Sequence, residues 1–138
     1  MNQITTQYVT ENGACYEQYV ITDPAAKTSL TITPERGGMI TGFTLDGDEY
    51  IWTRRPNFSE CNRPRFGVPV LFPSCGNPDG GVHNFDGKAY PMETHGFADL
   101  CGWDVESVGP DGVTLALEST PLTKFLYQIG RASCRERV

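Results

Sequence analysis

The chain has 138 residues, of which 38% are hydrophobic, 11% aromatic and 20% charged, and a formal net charge of −6. That is enough apolar material for one core, and no apolar run is long enough to span a membrane. The acidic balance argues against a nucleic-acid partner, which needs a basic patch to meet the phosphate backbone, and suits a polar, uncharged ligand.

In chain order the signals are those of strands and turns. Met1 to Thr10 has neither a basic n-region nor an apolar h-region, so it does not resemble a signal peptide and the expected location is the cytoplasm. Tyr16 to Ile21 and Ser29 to Thr33 are β-favouring runs separated by the turn-prone Thr22-Asp23-Pro24. Between Met39 and Trp52 apolar residues recur around Leu45-Asp46-Gly47-Asp48, which predicts a hairpin with a Gly-containing turn. Pro69 and Pro73 bracket Val70-Leu71-Phe72 and suggest an edge or bulged strand, because neither proline can donate to a ladder. Gly67 and Gly76 in this stretch read as places of close backbone approach or special torsions. Asn77 to Lys88 reads as a polar loop carrying His83. Trp103 to Val108 and Val113 to Leu117 flank Gly109-Pro110-Asp111-Gly112 and predict a second hairpin. Helix-period patterns are nearly absent, and ten prolines and fifteen glycines are spread along the chain rather than gathered in a linker. The expected architecture is all-β, an antiparallel β-sandwich or open barrel without an internal domain boundary before residue 128.

The last ten residues, Ile129 to Val138, have no apolar periodicity. They resemble a conceptual translation of a common sequencing adapter, whose next codon is a stop. On that reading residues 129–138 are a non-native tail, to be excluded from fold reasoning, and residues 1–128 are the N-terminal part of a longer domain. The tail brings Arg131, Arg135 and Arg137 against Glu136, so residues 1–128 carry −8. Setting Cys134 aside leaves Cys15, Cys61, Cys75 and Cys101, irregularly spaced and without a Cys-x-x-Cys pair, which favours free thiols. A metal site from Cys75, His83 and His95 has only weak spacing support, so no metal is expected.

Arg63 to Trp103 carries the strongest lead to function. Arg65 and His95 each stand near glycine and large apolar groups, the combination that sugar-handling sites use for hydrogen bonding and stacking. By themselves the residues leave alternatives open. Arg65 also reads as a surface residue after Pro64 or an ion-pair partner of Glu60 or Asp99, and His95 as a core or turn histidine before Gly96. Trp52, Phe72, Phe97 and Trp103 could stack on a pyranose face, but in a β-sandwich such residues belong more often to the core.

Taken together, three segments resemble the aldose 1-epimerase (galactose mutarotase-like) family. They are Gly-Phe-Thr-Leu-Asp-Gly-Asp-Glu-Tyr-Ile-Trp ending at Trp52, Arg65-Phe-Gly-Val-Pro-Val-Leu-Phe-Pro, and His95-Gly-Phe-Ala followed by Trp103. The ordered set covers roughly residues 14 to 128. The resemblance implies a large β-sandwich about twice the length of residues 1–128, acting on a small-molecule sugar with neither cofactor nor metal, and with no nucleic-acid or membrane partner. Its oligomeric state is left open. Arg65 matches the family arginine that hydrogen-bonds sugar oxygens, and His95 the first family histidine, which positions the substrate. The catalytic histidine acid and glutamate base that the family uses for ring opening are expected beyond Gln128, so no catalytic residue is assigned within the chain.

The Gly-x-Pro-x-x-Phe-Pro version is most similar to the branch that includes hexose-6-phosphate epimerases. Those carry arginine after His-Gly-Phe-Ala and often glutamine before it, where this chain has Asp99 and Thr94. A carboxylate facing the ligand would repel a phosphate dianion, which points to a neutral hexose unless Arg54, Arg55 or Arg63 compensates. A non-catalytic carbohydrate-binding β-sandwich and a hexose-6-phosphate 1-epimerase are the alternatives. If the sandwich pairs strands from both halves, residues 1–128 alone expose sheet edges and apolar faces. They are expected to express poorly or self-associate, and size-exclusion chromatography with light scattering checks this, a monodisperse, cooperatively melting monomer being the contrary result.

Overall fold

The computed structural model describes residues 1–53, 63, 66–127 and 131–137, with the side chains of residues 131–133, 136 and 137 left aside. Arg54, Arg55, Cys61 and Arg65 lie outside the described residues. The chain forms β1 (Gln3–Glu11), β2 (Ala14–Asp23), β3 (Thr28–Thr33), β4 (Met39–Leu45), β5 (Asp48–Glu49), β6 (Val82–Phe85), β7 (Lys88–Pro91), β8 (Asp104–Gly109), β9 (Gly112–Glu118), α1 (Pro121–Leu126) and β10 (Arg131–Arg137). Every pairing between these strands is antiparallel. The order is β1-β2-β3-β4-β5 in the large sheet and β10-β9-β8 in a second, with β6-β7 as a separate hairpin.

Turn chemistry explains why neighbours in sequence become neighbours in space. Asn12-Gly13, Asp46-Gly47 and Asp86-Gly87 each put two consecutive residues at positive φ, the conformation a two-residue type I′ hairpin requires. They join β1 to β2, β4 to β5 and β6 to β7. The Asp46 hairpin is the one expected from the sequence. Asn77 to Lys88, expected to be a loop, instead contains β6 and the start of β7, and His83 sits in β6 opposite Tyr90. A short helix, α1, adds to the β architecture. Pro121 stands in its first turn, and Thr120 and Thr123 form a reciprocal capping box, which satisfies two donors that would otherwise be orphaned.

Period-two alternation builds the core. Tyr19 pairs with Ile32 and Ile21 with Leu30, so these side chains share one face of the large sheet. Val113 and Leu115 face them from β9, and Ala98 and Trp103 complete the buried cluster between the layers. The opposite face of the large sheet carries a buried polar chain: Gln7 donates to Gln18, which donates to Thr33 at 2.9 Å, and Thr33 and Thr41 share a hydrogen bond of 3.0 Å. A bulge at Thr41 lets β4 serve both faces, because pairing shifts from Thr31↔Gly42 to Ile32↔Ile40.

The expected strand over residues 70–72 is not formed. Val68 makes an isolated bridge to Ile40 and Phe72 one to Gly96, with a cis peptide bond between Phe72 and Pro73. The two prolines remove the donors a ladder would need, so this segment is a strap held at two points. Arg131–Arg137, set aside on sequence grounds, pairs with β9 from Arg131↔Glu118 to Arg137↔Gly112, and Cys134 packs against the core. Antiparallel pairing uses backbone groups that every non-proline residue carries, so a run without apolar periodicity can still occupy a sheet edge.

Gly67 and Gly76 separate clearly. Gly67 has φ +66°, and a Cβ there would lie 2.6 Å from Met39 Sδ and 2.7 Å from the Ile40 carbonyl oxygen. Gly76 has neither a left-handed φ nor any atom within 4 Å of such a Cβ, so the close approach expected there is absent. Gly67→Ala is expected to cost about 2–4 kcal/mol of stability through torsional strain and overpacking. Gly76→Ala should stay within about 0.5 kcal/mol of wild type. Chemical denaturation of both variants checks the contrast.

Candidate functional site

Two segments meet around His95. The strap from Phe66 to Asn77 runs beside residues 92–98, and backbone bonds stitch them together. His95 N–H donates to the Gly76 carbonyl at 3.0 Å, and the Phe72 carbonyl accepts from Phe97 at 3.0 Å and Ala98 at 3.2 Å. Thr94 Oγ1 donates to Asn77 Oδ1 at 3.0 Å, closing the open end. At their junction His95 has φ +71° and Gly96 φ +75°. A Cβ on Gly96 would collide with the Phe72 carbonyl, so only glycine fits there.

The His95 ring is fixed as firmly as its backbone. Nδ1 lies 2.9 Å from the Cys75 carbonyl oxygen, which can only accept, so Nδ1 carries the proton. The neutral ring therefore presents Nε2 as an acceptor, the form that receives a hydrogen bond from a hydroxyl. His95 is half-buried.

Arg63 holds the other side of this junction. Its Nη1 lies 3.0 Å from Asp99 Oδ2, its Nη2 donates to the Gly96 carbonyl at 2.7 Å, and Glu93 lies 3.8 Å from Nη2. Asp99 is 1% exposed, in a short 3-10 turn (Ala98–Leu100). Burial pushes its carboxyl above the usual carboxylate range, opposed chiefly by the Arg63 charge. Asp99 was expected to face a ligand and repel phosphate. It is instead a buried ion-pair partner, because desolvating a carboxylate demands a cation at contact distance. Arg63 makes the pairing with Asp99 considered for Arg65, which lies outside the described residues, and with its fork occupied by Asp99 and Gly96 it is not a free phosphate clamp.

The remaining expectations sort by position. Phe97 and Trp103 are buried, and Phe72 packs against the core and meets Phe97 edge-on at 6.4 Å between centroids. Trp52 is the exception to the core expectation, being 66% exposed, because it follows the end of the sheet at β5. His83 packs at a tilt against Tyr127, 5.0 Å between centroids, in a separate aromatic group with Phe85 and Tyr90. Cys75, His83 and His95 are not gathered, and no group of three metal-ligating side chains occurs among the described residues. Cys15, Cys75 and Cys101 are free thiols, and burial pushes the Cys101 thiol up, with Asp99 adding to the effect. An open hollow of about 370 Å³ lies beside the junction, lined by Met92, Phe97, Leu100 and Leu126 with Glu93 and Gly96. Sequence reasoning passed over Glu93 and the Cys75 carbonyl, since neither has a motif and only the fold sets them beside Arg63 and His95. No helix among the described residues is long and apolar enough to cross a membrane.

No family model and no curated protein matches the chain in sequence. Solved structures do match. The Slr1438 protein of Synechocystis sp. PCC 6803 is similar over 99% of this chain and 48% of its own, with a TM-score of 0.75 and 26% identity. A galactose mutarotase related enzyme from Lactobacillus acidophilus aligns with 94% of this chain and 38% of its own, at a TM-score of 0.60 and 20% identity. The galactose 1-epimerase of Lactobacillus acidophilus NCFM aligns with 86% and 40%, at a TM-score of 0.60 and 16% identity. The fold is thus the galactose mutarotase-like β-sandwich. The chain spans less than half the length of these solved structures.

The buried pair sets a pH dependence. A carboxyl whose pKa is raised on folding holds its proton more tightly in the folded chain, so its contribution to stability falls as pH rises above the unfolded value near 3.8 and levels off above the raised one. Arg63→Ala is expected to cost about 3–5 kcal/mol near neutral pH by leaving a buried charge unpaired, and less in acid, where Asp99 is protonated. Adding Asp99→Asn should recover much of that loss and flatten the pH dependence. Thermal melts of wild type and the two variants across the acidic range check it.

Proposed function

We propose that this chain is part of an aldose 1-epimerase that interconverts the α and β anomers of a neutral hexose, with Arg65 and His95 as substrate-binding residues. The pinned His95 ring carries the proposal: its Nδ1–H is held by the Cys75 carbonyl, which leaves Nε2 to accept a bond from a sugar hydroxyl. The likeness to galactose mutarotase-related structures and the ordered sequence segments support it. Of the three arginines considered as phosphate partners, Arg63 is committed to Asp99 and Gly96, which removes one route to a phosphorylated sugar.

Anomer exchange requires removal of the C1 hydroxyl proton and protonation of the ring oxygen, so that the ring opens, rotates and recloses. That chemistry needs one acid and one base and no metal or organic cofactor. The acid, a histidine, and the base, a glutamate, lie beyond Gln128 on this reading, and His95 orients the sugar between them. Residues 129–138 are proposed to be non-native and the working location to be the cytoplasm. A carbohydrate-binding module without turnover is the second reading, since a His95 ring held at Nδ1 by the Cys75 carbonyl could accept from a sugar hydroxyl without any catalytic pair.

Sequencing the source locus across the Gln128 codon separates the two. The expected result is a reading frame that continues for a comparable length and includes a histidine and a late glutamate; a stop after Val138 in genomic DNA favours the binding module. In polarimetry the 138-residue chain should leave mutarotation of glucose or galactose at the buffer rate, and the full reading frame should accelerate it. His95→Ala in the full protein should raise KM about tenfold with a smaller change in kcat, as loss of one binding hydrogen bond predicts.

A further inference from the structure

We infer that Arg63 is a positioning residue for His95, holding the left-handed His95-Gly96 junction through the Gly96 carbonyl while Asp99 holds the guanidinium in place. Three observations meet at that junction. First, His95 is a non-glycine residue at φ +71°, a conformation that costs energy and persists only where its surroundings over-determine it. Second, the carbonyl that follows is not bonded within a strand; it accepts from Arg63 Nη2 at 2.7 Å, the shortest of that side chain's contacts with Gly96, Asp99 and Glu93. Third, the other end of the guanidinium meets a carboxylate that is almost wholly buried and whose Oδ1 has no hydrogen-bond partner among the described residues. Such a carboxylate cannot follow a moving arginine out to water, so it anchors the fork. The planar guanidinium presents two donors in fixed relative directions, one for the anchor and one for the junction.

The consequence falls on the imidazole. The direction of the His95 side chain is set by its backbone torsions, and the Nδ1 bond to Cys75 holds only while that direction is kept. Arg63 touches neither ring nitrogen in the contacts described, so its action on the ring runs through the Gly96 carbonyl. The assignment of Arg63 stands on this geometry; its relevance to sugar binding rests on the function proposed above.

Histidine-selective 15N NMR on the 138-residue chain tests both separately. The chain has only two histidines, and His83, in the β6–β7 hairpin, is the internal reference. In wild type the neutral His95 ring should be mainly the Nδ1–H tautomer. Arg63→Lys keeps a positive charge for Asp99 but not the fixed fork, so the Nδ1–H to Nε2–H ratio at His95 should fall about fivefold, the effect of losing one ordinary hydrogen bond, while His83 stays unchanged. Ile21→Val, a core substitution in β2, controls for general loosening and should leave the His95 ratio at the wild-type value. An unchanged ratio in Arg63→Lys, or an equal change in Ile21→Val, overturns the assignment of Arg63. Galactose added to wild type should shift the His95 Nε2 resonance. Its failure to do so counts against the sugar-binding reading and leaves the Arg63 result standing.

Discussion

Trp103 is the fixed point of the molecule. Its ring is buried in the core between the large sheet and β9, and its indole N–H donates to the Ala98 carbonyl at 3.0 Å. Its backbone N–H donates to Pro34 at 3.1 Å, on the turn that links β3 to β4. One residue, through its ring and its backbone, thus joins both layers to the segment that carries His95. The β3–β4 turn fits closely around it. Gly37 and Gly38 are both left-handed, and a Cβ on Gly38 would stand 3.2 Å from the indole ring, while one on Gly37 would collide with the Asp99 carbonyl. Large apolar surface at this point supplies stability, and the polar edge of the same ring supplies register.

Rigidity next to the core makes the strained junction at His95 possible. Residues 95 and 96 adopt torsions that an isolated loop would abandon, and they do so because Phe97 and Ala98 are buried just beyond them and bonded to the Phe72 carbonyl. On the proposed function the His95 ring gains from this arrangement, since a ring already held in one tautomer and direction loses little freedom when a ligand arrives. The Arg63–Asp99 pair fits the same logic. A buried ion pair adds little net stability compared with apolar packing, but breaking it is costly, so it specifies a geometry more than it strengthens the fold.

Much of the architecture was legible because β-hairpins are local. Alternation within Tyr16–Ile21 and Ser29–Thr33 and the turn at Asp46-Gly47 are short-range signals, and the strands lie where those signals put them. Asn12-Gly13 and Asp86-Gly87 are equally strong turn dipeptides, yet β1 is largely polar and exposed and β6 and β7 are only four residues each, so neither shows a clear apolar alternation. The helix at Pro121–Leu126 was written in the same way, by threonine three residues before threonine with proline between them, but it is too short to show a helical period.

The sequence by itself determined the antiparallel β class, the hairpins with apolar flanks, the place of Phe97 and Trp103 in the core, and the candidacy of His95, because each depends on residue type and near neighbours. Only the tertiary structure decided which charges meet. Asp99 looked like a ligand-facing carboxylate and proves to be the buried partner of Arg63, thirty-six residues away in sequence. Pairing between distant side chains is set by how the layers pack, and composition and spacing carry no record of it. The same holds for the hydrogen bond that selects the tautomer of His95, since its acceptor is the Cys75 backbone carbonyl, a group that every residue carries and that only the fold brings within reach.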